Sequence, residues 1–322
     1  MSHLLFHKTL DFFKSQAIEN KKLCLGISGG VDSMVLLDVM SQVASPLNLK
    51  LVVIHVHHGA TTDASVRAYR DKVGSFVTSV CRDSSFPFYL SQAPLEQLKS
   101  EQEFRTFRYQ QFEKYIKEEQ AAGLVLAHNS DDALETRLIH LIRGCGLEGL
   151  KAMDSAGWLG PDFEKNLIRP FLSFSKGDIL DYAQKKSLKW LEDPSNSQQD
   201  FLRNWLRNAW LIDLEKKRPG SRFRLGQSLD KIASSFSESE DLLPYFINSK
   251  RISRPLFKSL SRDHQKRLLA LYMKKENIRN YGQSHIEEVL KHLERPNKHM
   301  NLDLLKRKWK ITPDFFYVEE IL

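Results

Sequence analysis

Leu23-Cys24-Leu25-Gly26-Ile27-Ser28-Gly29-Gly30-Val31-Asp32-Ser33-Met34-Val35-Leu36-Leu37 is an apolar run that breaks into a short polar, glycine-bearing stretch and then resumes. The pattern predicts a buried strand, a tight turn lined by hydroxyls and the first turn of a helix. Such a turn aims several backbone N–H groups, and the positive end of a helix dipole, at one spot that suits a phosphate. Gly29 and Gly30 leave the backbone open to a ligand, Ser28 and Ser33 add hydroxyl donors, and Val31 opens the helix. Asp32 is out of character beside a phosphate. Either it caps an ordinary strand-turn-helix corner, or it holds a Mg2+ that bridges to a polyphosphate.

The first 130 residues alternate between strand and helix patterns. Leu51-Val52-Val53-Ile54-His55-Val56 is a second continuous apolar run, Phe86-Pro87-Phe88-Tyr89-Leu90 a weaker third, and Gly123-Leu124-Val125-Leu126-Ala127 a fourth. A helical stretch from about Glu101 to Gln120 precedes the last. This alternation predicts an α/β fold with a parallel twisted sheet and helices on both sides, with ligands gathered at the carboxyl ends of the strands. Three motifs fall at three such ends.

The chain has 322 residues and 41% hydrophobic content, enough for a full core and two domains. We expect a catalytic domain over 1–212 and a smaller, mostly helical one over 213–322. The first sixteen residues read as an amphipathic surface helix rather than a signal peptide, and no apolar run reaches the length of a membrane span. Cys24, Cys81 and Cys145 are widely spaced and odd in number, which provides no disulfide framework and points to the cytoplasm. Net charge is +8, unevenly spread: residues 216–322 hold 23 Lys and Arg against 13 Asp and Glu, the remainder 25 against 27. A near-neutral first part with a basic tail suggests a polyanion such as nucleic acid, against the alternative of a solvated basic surface.

The second strand ends in His55-Val56-His57-His58-Gly59, a site edge without zinc spacing. The fourth runs into Ala127-His128-Asn129-Ser130-Asp131-Asp132-Ala133-Leu134-Glu135-Thr136. Here Asn129 or Ser130 caps a helix whose core face is Leu134, Leu138, Leu141 and Ile142. Asp131 and Glu135 share a face beside His128; the acidic cluster either only caps the helix or holds Mg2+ or an ammonium group. Arg143-Gly144-Cys145-Gly146 follows, and its glycines can bring Arg143 back toward the site. Arg105 and Arg108, followed by Tyr109, form a cationic helix face. Asp193-Pro194-Ser195-Asn196 is a turn before a helix from about Gln199. On that helix Arg203 and Arg207 either grip phosphates or close a structural salt bridge. Lys306-Arg307-Lys308-Trp309-Lys310 is the densest basic cluster of the tail, its Trp309 either packed or stacked on a base.

The Ser-Gly-Gly-x-Asp-Ser loop is neither a Walker loop nor a dinucleotide fingerprint. It resembles the pyrophosphate loop of the N-type ATP pyrophosphatases, and implies an adenine nucleotide α-hydrolase-like fold and adenylation by ATP. With His55-Val56-His57-His58-Gly59, Phe104-Arg105-x-x-Arg108-Tyr109, the Ala127 to Thr136 motif, Arg143-Gly-x-Gly-Leu-x-Gly-Leu150, Arg169-Pro170-Phe171-Leu172, Trp190 to Asn196 and Arg203-Asn204 with Arg207-Asn208, residues 20–212 resemble the tRNA(Ile)-lysidine synthetase family. The resemblance implies ATP and Mg2+ as cofactors, and L-lysine and an isoleucine tRNA with a CAU anticodon as partners, with a homodimer left open. The reaction implied is adenylation of the wobble cytidine followed by attack of lysine at C2. It also implies Asp32 as the metal residue and Asp32, Arg108, His128, Asp131, Asp132, Glu135 and Arg143 as the catalytic set. Arg105, Arg203 and Arg207 are implied to contact tRNA or the adenylate. Departures are Ala60-Thr61 where the family often has Leu-Arg, Cys145 for Ser or Thr, and an early end like that of members lacking a second C-terminal module. Rival expectations are a tRNA cytidine thiolase, which would use cysteine pairs that this chain lacks, and a non-catalytic tRNA-binding protein.

Overall fold

The computed structural model describes residues 4–57, 64–93, 101–145, 147–150, 153, 156–160, 163–192, 202–235, 246–247, 250–278, 281–295 and 299–319. His58, Gly59, Ala60 and Thr61, Gly146 and the Asp193–Asn196 turn lie outside them. The chain divides into two compact units, Met1–Glu135 with Met153–Arg222, and Thr136–Ala152 with Phe223–Leu322.

In the first unit the order is α1 (Leu4–Ser15), β1 (Lys22–Gly26), α2 (Val31–Ala44), β2 (Lys50–His57), α3 (Ala64–Asp83), β3 (Phe88–Gln92), α4 (Glu101–Glu118), β4 (Gly123–Val125) and α5 (Ser130–Ile142). The unit boundary falls inside α5, after Glu135. The chain returns to the first unit through β5 (Ala156–Gly160), β6 (Phe163–Ile168), α7 (Lys176–Lys185), α8 (Leu202–Trp205), a π-helical turn (Leu206–Trp210) and α9 (Leu211–Lys217). Between them α6 (Leu147–Leu150) belongs to the second unit.

The sheet runs β3-β2-β1-β4-β6-β5. Its first five strands are parallel, in the register Leu23↔Leu51 and Leu23↔Gly123, and β5 is antiparallel to β6. The four strands read from the sequence are β1 to β4, the third displaced by two residues because Pro87 cannot donate to the ladder. The pair β5 and β6 was not anticipated. Leu23 and Leu25 point to one face, where they pack with Val35, Val39 and Met40 of α2, Phe13 of α1, Val73 and Val77 of α3, and Tyr182 of α7. Cys24, Val52, Ile54 and Val56 point to the other, against Phe112, Tyr115 and Ile116 of α4. Burial on both faces explains the unbroken apolar runs. Strand order reverses between β1 and β4, so the loops after these two strands open side by side at a topological switch point, where α/β sheets bind ligands.

On α5, Leu134 and Leu138 are buried as expected, with Ala133 and Ile139 beside them, but Leu141 and Ile142 are exposed, so the expected core face ends before the last turn. Among the described residues no helix is long and apolar enough to cross a membrane.

The second unit contains α10 (Ser221–Ser235, from Phe223 onward), β7 (Phe246–Ile247), β8 (Arg251–Ser253), α11 (Arg254–Ser259), α12 (Arg262–Lys275), α13 (Gln283–Glu294), β9 (Met300–Leu304), β10 (Arg307–Ile311) and β11 (Phe315–Val318). Its helices are joined by an antiparallel sheet in the order β7-β8-β11-β10-β9, which the helical expectation for the tail did not include. The basic cluster at 306–310 lies on the β9–β10 hairpin, where Leu305 and Lys306 take φ of 56° and 58°. That two-residue turn has positive φ at both central positions, as strand twist requires. Trp309 is fully buried among Tyr272, Phe316 and the α12 and α13 side chains, so it packs and does not stack on a base.

Arg254 is also fully buried. It donates to the carbonyls of Leu293 and Arg295 at the end of α13 and to that of Thr312. The Leu293 and Arg295 carbonyls, at the C-terminal end of α13, have no partner within the helix. Arg254→Met is expected to lower the unfolding free energy by about 2 kcal/mol, because it strands acceptors inside the core while removing a desolvated cation. Urea unfolding of the full chain checks this; an unchanged midpoint would show that the carbonyls are satisfied without Arg254.

Candidate active site at the switch point of the sheet

The loop after β1 is built as its sequence demands. Gly29 takes φ +84°, and a Cβ there would stand 2.8 Å from Val73 Cγ1, so a side chain is excluded both by backbone strain and by contact. Ser33 Oγ accepts from the Gly29 N–H at 3.1 Å and donates to the Gly30 carbonyl at 2.8 Å, while Ser28 Oγ donates to Ser33 Oγ at 3.2 Å. Leu191 N–H donates to the Gly29 carbonyl at 3.0 Å and pins the turn from outside. Gly30 is the N-cap of α2 and supplies no side-chain cap. The first turn of α2 therefore points amides at the space over the loop, as an anion site requires.

Across the switch point, buried Asn129 caps α5. Its Oδ1 accepts from the N–H groups of Asp131 and Asp132 at 3.0 and 3.1 Å, and Asp132 Oδ2 accepts in return from Asn129 N–H at 3.1 Å. Of the two capping choices in the sequence, the asparagine is taken. Its Nδ2 then donates to Asp32 Oδ1 at 3.1 Å, so one side chain fixes both the acidic helix and the phosphate-loop carboxylate. Asp32 Oδ2 is paired with Lys176 Nζ at 2.5 Å. Both partners are partly exposed, so the pair is worth about 0.2–1 kcal/mol.

Each acidic residue of α5 is hydrogen-bonded, two of them to the same arginine. Asp131 accepts from the Lys176 backbone N–H at 2.8 Å and from Arg222 at 3.4 Å. Glu135, 1% exposed, takes both arms of Arg207 at 2.7 Å, and a third bond runs from Arg207 to Asp132 at 2.8 Å. Arg203 approaches Glu135 at 4.0 Å. Burial raises the Glu135 carboxyl above its usual range against the pull of Arg207. Burial opposes the charge of Arg207, but its bonds to Glu135 outweigh this and hold it more firmly protonated than usual. Arg207 sits in the π-helical turn, a local widening that often marks functional positions. Between a grip on phosphate and a salt bridge, the sequence left Arg207 open; here it makes the salt bridge.

His128 stands at a cationic pole. Burial is the main reason its pKa falls to about 3, helped by Arg169, Arg105, Arg108 and Arg203. Arg169 Nε donates to His128 Nδ1 at 3.2 Å. A guanidinium does not give up its proton, so Nδ1 is the acceptor and the neutral ring carries its proton on Nε2. In this state His128 offers a hydrogen-bond donor rather than a base. Unfolded, it titrates near 6.5, so below that pH the unfolded chain takes up a proton that the folded chain refuses, and stability falls as pH drops from 6.5 toward 3. His128→Asn is expected to flatten that limb by up to about 1.4 kcal/mol per pH unit, seen in urea unfolding at a series of pH values. An unaltered limb would sink the assignment.

Arg105 and Arg108 lie on α4, over the Tyr109 ring at 5.0 and 6.0 Å. Arg143 is exposed after α5, in the second unit. His55 is buried and bonded through Nδ1 to the Ile27 carbonyl at 2.7 Å, and His57 pairs with Asp71 at 3.1 Å, so both imidazoles have protein partners. Sequence reasoning missed Lys176, Arg169 and Arg222 as members of this cluster. Ser175-x-x-Asp178 marks the start of α7 as a capping box, but nothing local says that the lysine inside it reaches Asp32.

The PP-loop domain family matches residues 2–214. Over 98% of its length the chain is 34% identical to a tRNA(Ile)-lysidine synthase of Bdellovibrio bacteriovorus, of which it covers 97%. The chain belongs to the tRNA(Ile)-lysidine synthase family. Other members are larger: it is 30% identical to the Nitrosomonas europaea tRNA(Ile)-lysidine synthase and 34% to that of Enterococcus faecalis, and spans 62% and 47% of their lengths. The U34-tRNA thiolase NcsA from Methanococcus maripaludis, solved with its [4Fe-4S] cluster, superposes with a TM-score of 0.59 over 73% of this chain and 80% of its own. At 18% identity that likeness shows the shared fold.

As a member of this PP-loop family, the protein uses ATP. Among the described residues no cluster of three or more His, Cys, Asp or Glu is placed to hold a metal. Mg2+ does not need one, since it commonly takes one or two carboxylates and completes its shell with phosphate oxygens and water. Asp32, in the first turn of α2 beside the loop amides, fits that role.

Proposed function

We propose that this protein joins L-lysine to C2 of the wobble cytidine of an isoleucine tRNA with a CAU anticodon, through an adenylated cytidine, releasing pyrophosphate and AMP. The observation that carries this reading is the convergence of the Ser28–Ser33 loop with the Asn129–Glu135 helix start through the Asn129–Asp32 bond, in a chain of this family. In the first step cytidine O2 attacks the α-phosphorus and the bond to pyrophosphate breaks. The α2 amides and the Ser28 and Ser33 hydroxyls hold the departing pyrophosphate. Arg105, Arg108 and Arg143 are the cations assigned to the α-phosphate and adenylate, with the His128 Nε2–H as a neutral donor. Mg2+, where bound, neutralises polyphosphate charge, and Asp32 is the residue to hold it.

In the second step the lysine amine attacks C2, the C–O bond to AMP breaks, and the amine loses a proton. Asp131, Asp132 and Glu135 supply the negative field that attracts the lysine ammonium; one of these carboxylates takes the proton that frees the amine to attack, and the departing AMP phosphate takes the second proton, released from the nitrogen now bonded to C2. Arg203 and Arg207 hold the carboxylates in place from α8 and the π-helical turn. The basic segment 213–322 is assigned to the tRNA body, and the reaction to the cytoplasm.

The test is nucleoside mass spectrometry of a CAU isoleucine tRNA transcript incubated with protein, Mg-ATP and lysine, with the methionine tRNA alongside. Lysine on the wobble cytidine of the isoleucine tRNA alone is the expected result. Pyrophosphate release without lysine addition would point to another nucleophile, and tRNA binding without ATP turnover to a binding protein.

A further inference from the structure

The phosphate loop has no basic residue of its own. From Gly26 to Leu37 the only charged side chain is Asp32, whose sign is wrong for a polyphosphate. In Walker loops a lysine within the loop reaches the β- and γ-phosphates. Here a lysine arrives from elsewhere in the chain, with Lys176 Nζ 2.5 Å from Asp32 Oδ2. Its backbone is anchored, because the Lys176 N–H donates to Asp131 Oδ2 and the Ser175–Asp178 box fixes the first turn of α7. Its side chain is 40% exposed, at the end of a flexible four-carbon stem. Of the nearby guanidiniums, Arg207 is bonded to Glu135 and Asp132, and Arg169 to His128.

We propose that Lys176 is a pyrophosphate-binding residue, which pairs with Asp32 and turns to the β- and γ-phosphate oxygens when a nucleotide fills the loop. The proposal rests on reading the loop as the ATP site, and adds to it the cation that the loop lacks. A compact ammonium suits phosphate as a point charge. The weakness of a partly exposed ion pair lets a more highly charged anion displace the carboxylate. A lesser role, in which Lys176 only neutralises Asp32, makes a different prediction once the Asp32 charge is gone.

The experiment is calorimetric titration of the full chain with inorganic pyrophosphate in metal-free buffer, for wild type, Lys176→Met, Lys176→Arg, Asp32→Asn and the Asp32→Asn/Lys176→Met double variant. Asp32→Asn is expected to bind more tightly than wild type, because repulsion is removed and the ammonium released. Lys176→Met is expected to weaken binding by about tenfold or more in both backgrounds, as loss of a charge-assisted bond implies, with Lys176→Arg retaining most of the affinity. Equal affinity of Asp32→Asn and the double variant would overturn the proposal and leave Lys176 as a partner of Asp32 alone. No pyrophosphate binding by any folded form would also overturn it. Lysidine formation by wild type, read separately by mass spectrometry, then shows whether the functional reading fails with it.

Discussion

Asp32→Ala is expected to cut lysidine formation and pyrophosphate release by about three orders of magnitude, the several kcal/mol that a metal-held phosphate clamp contributes to the transition state. Stability should change far less. The variant takes a partner from Asn129 Nδ2, an exposed ion pair from Lys176 and a carboxylate from the first turn of α2. Together these cost about 1–2 kcal/mol. The turn itself keeps its bonds, because Ser33 still bridges Gly29 and Gly30. Asp32→Asn separates charge from shape, since its amide oxygen can still accept from Asn129. If charge is what matters, the asparagine variant is as inactive as the alanine one. Activity within tenfold of wild type in either variant would remove Asp32 from the chemistry.

What the sequence made legible was local chemistry at fixed spacing. Ser28 to Ser33 needs only its own residues to announce a turn with amides aimed at an anion, and Asn129 to Glu135 announces a capped helix start. Both appear where they were read, and the alternation of strands and helices was enough to place them at neighbouring strand ends. The contacts that complete the cluster are long-range. Lys176 lies 144 positions from Asp32, and Arg207 72 from Glu135, and no periodicity encodes such pairs. The C-terminal sheet was hidden for another reason. Leu305-Lys306 forms a hairpin turn without the glycine or asparagine that normally betrays one, and a dense basic run distracts from the alternation of buried Trp309 and Ile311 with outward Lys308 and Lys310.

Arg207→Met tests whether the acidic face of the site is held in place or merely crowded. Glu135 is 1% exposed, and both its oxygens are bonded to a guanidinium that is itself 38% exposed. Removing one partner of a buried pair costs about 3–5 kcal/mol, and the partial exposure of Arg207 reduces the expectation to about 2–3 kcal/mol. The pH dependence identifies the cause. Burial already raises Glu135, and without Arg207 nothing as close opposes that rise. Between the ordinary carboxylate value and the raised one, the folded variant binds a proton that the unfolded chain does not. Its stability therefore increases as pH falls through that window, and the deficit against wild type shrinks on acidification. Glu135→Gln should rescue much of the loss in the Arg207→Met background, because the group left behind is then neutral. Arg207→Lys should fall between, since an ammonium keeps the charge but cannot span both oxygens. Urea unfolding at neutral and mildly acidic pH measures all four chains. A deficit that widens on acidification would mean that Arg207 stabilises the fold through something other than Glu135. The carboxylates assigned to lysine would then be positioned by the Asn129 cap and by the contacts of Asp131 with Lys176 N–H and Arg222 rather than by Arg207.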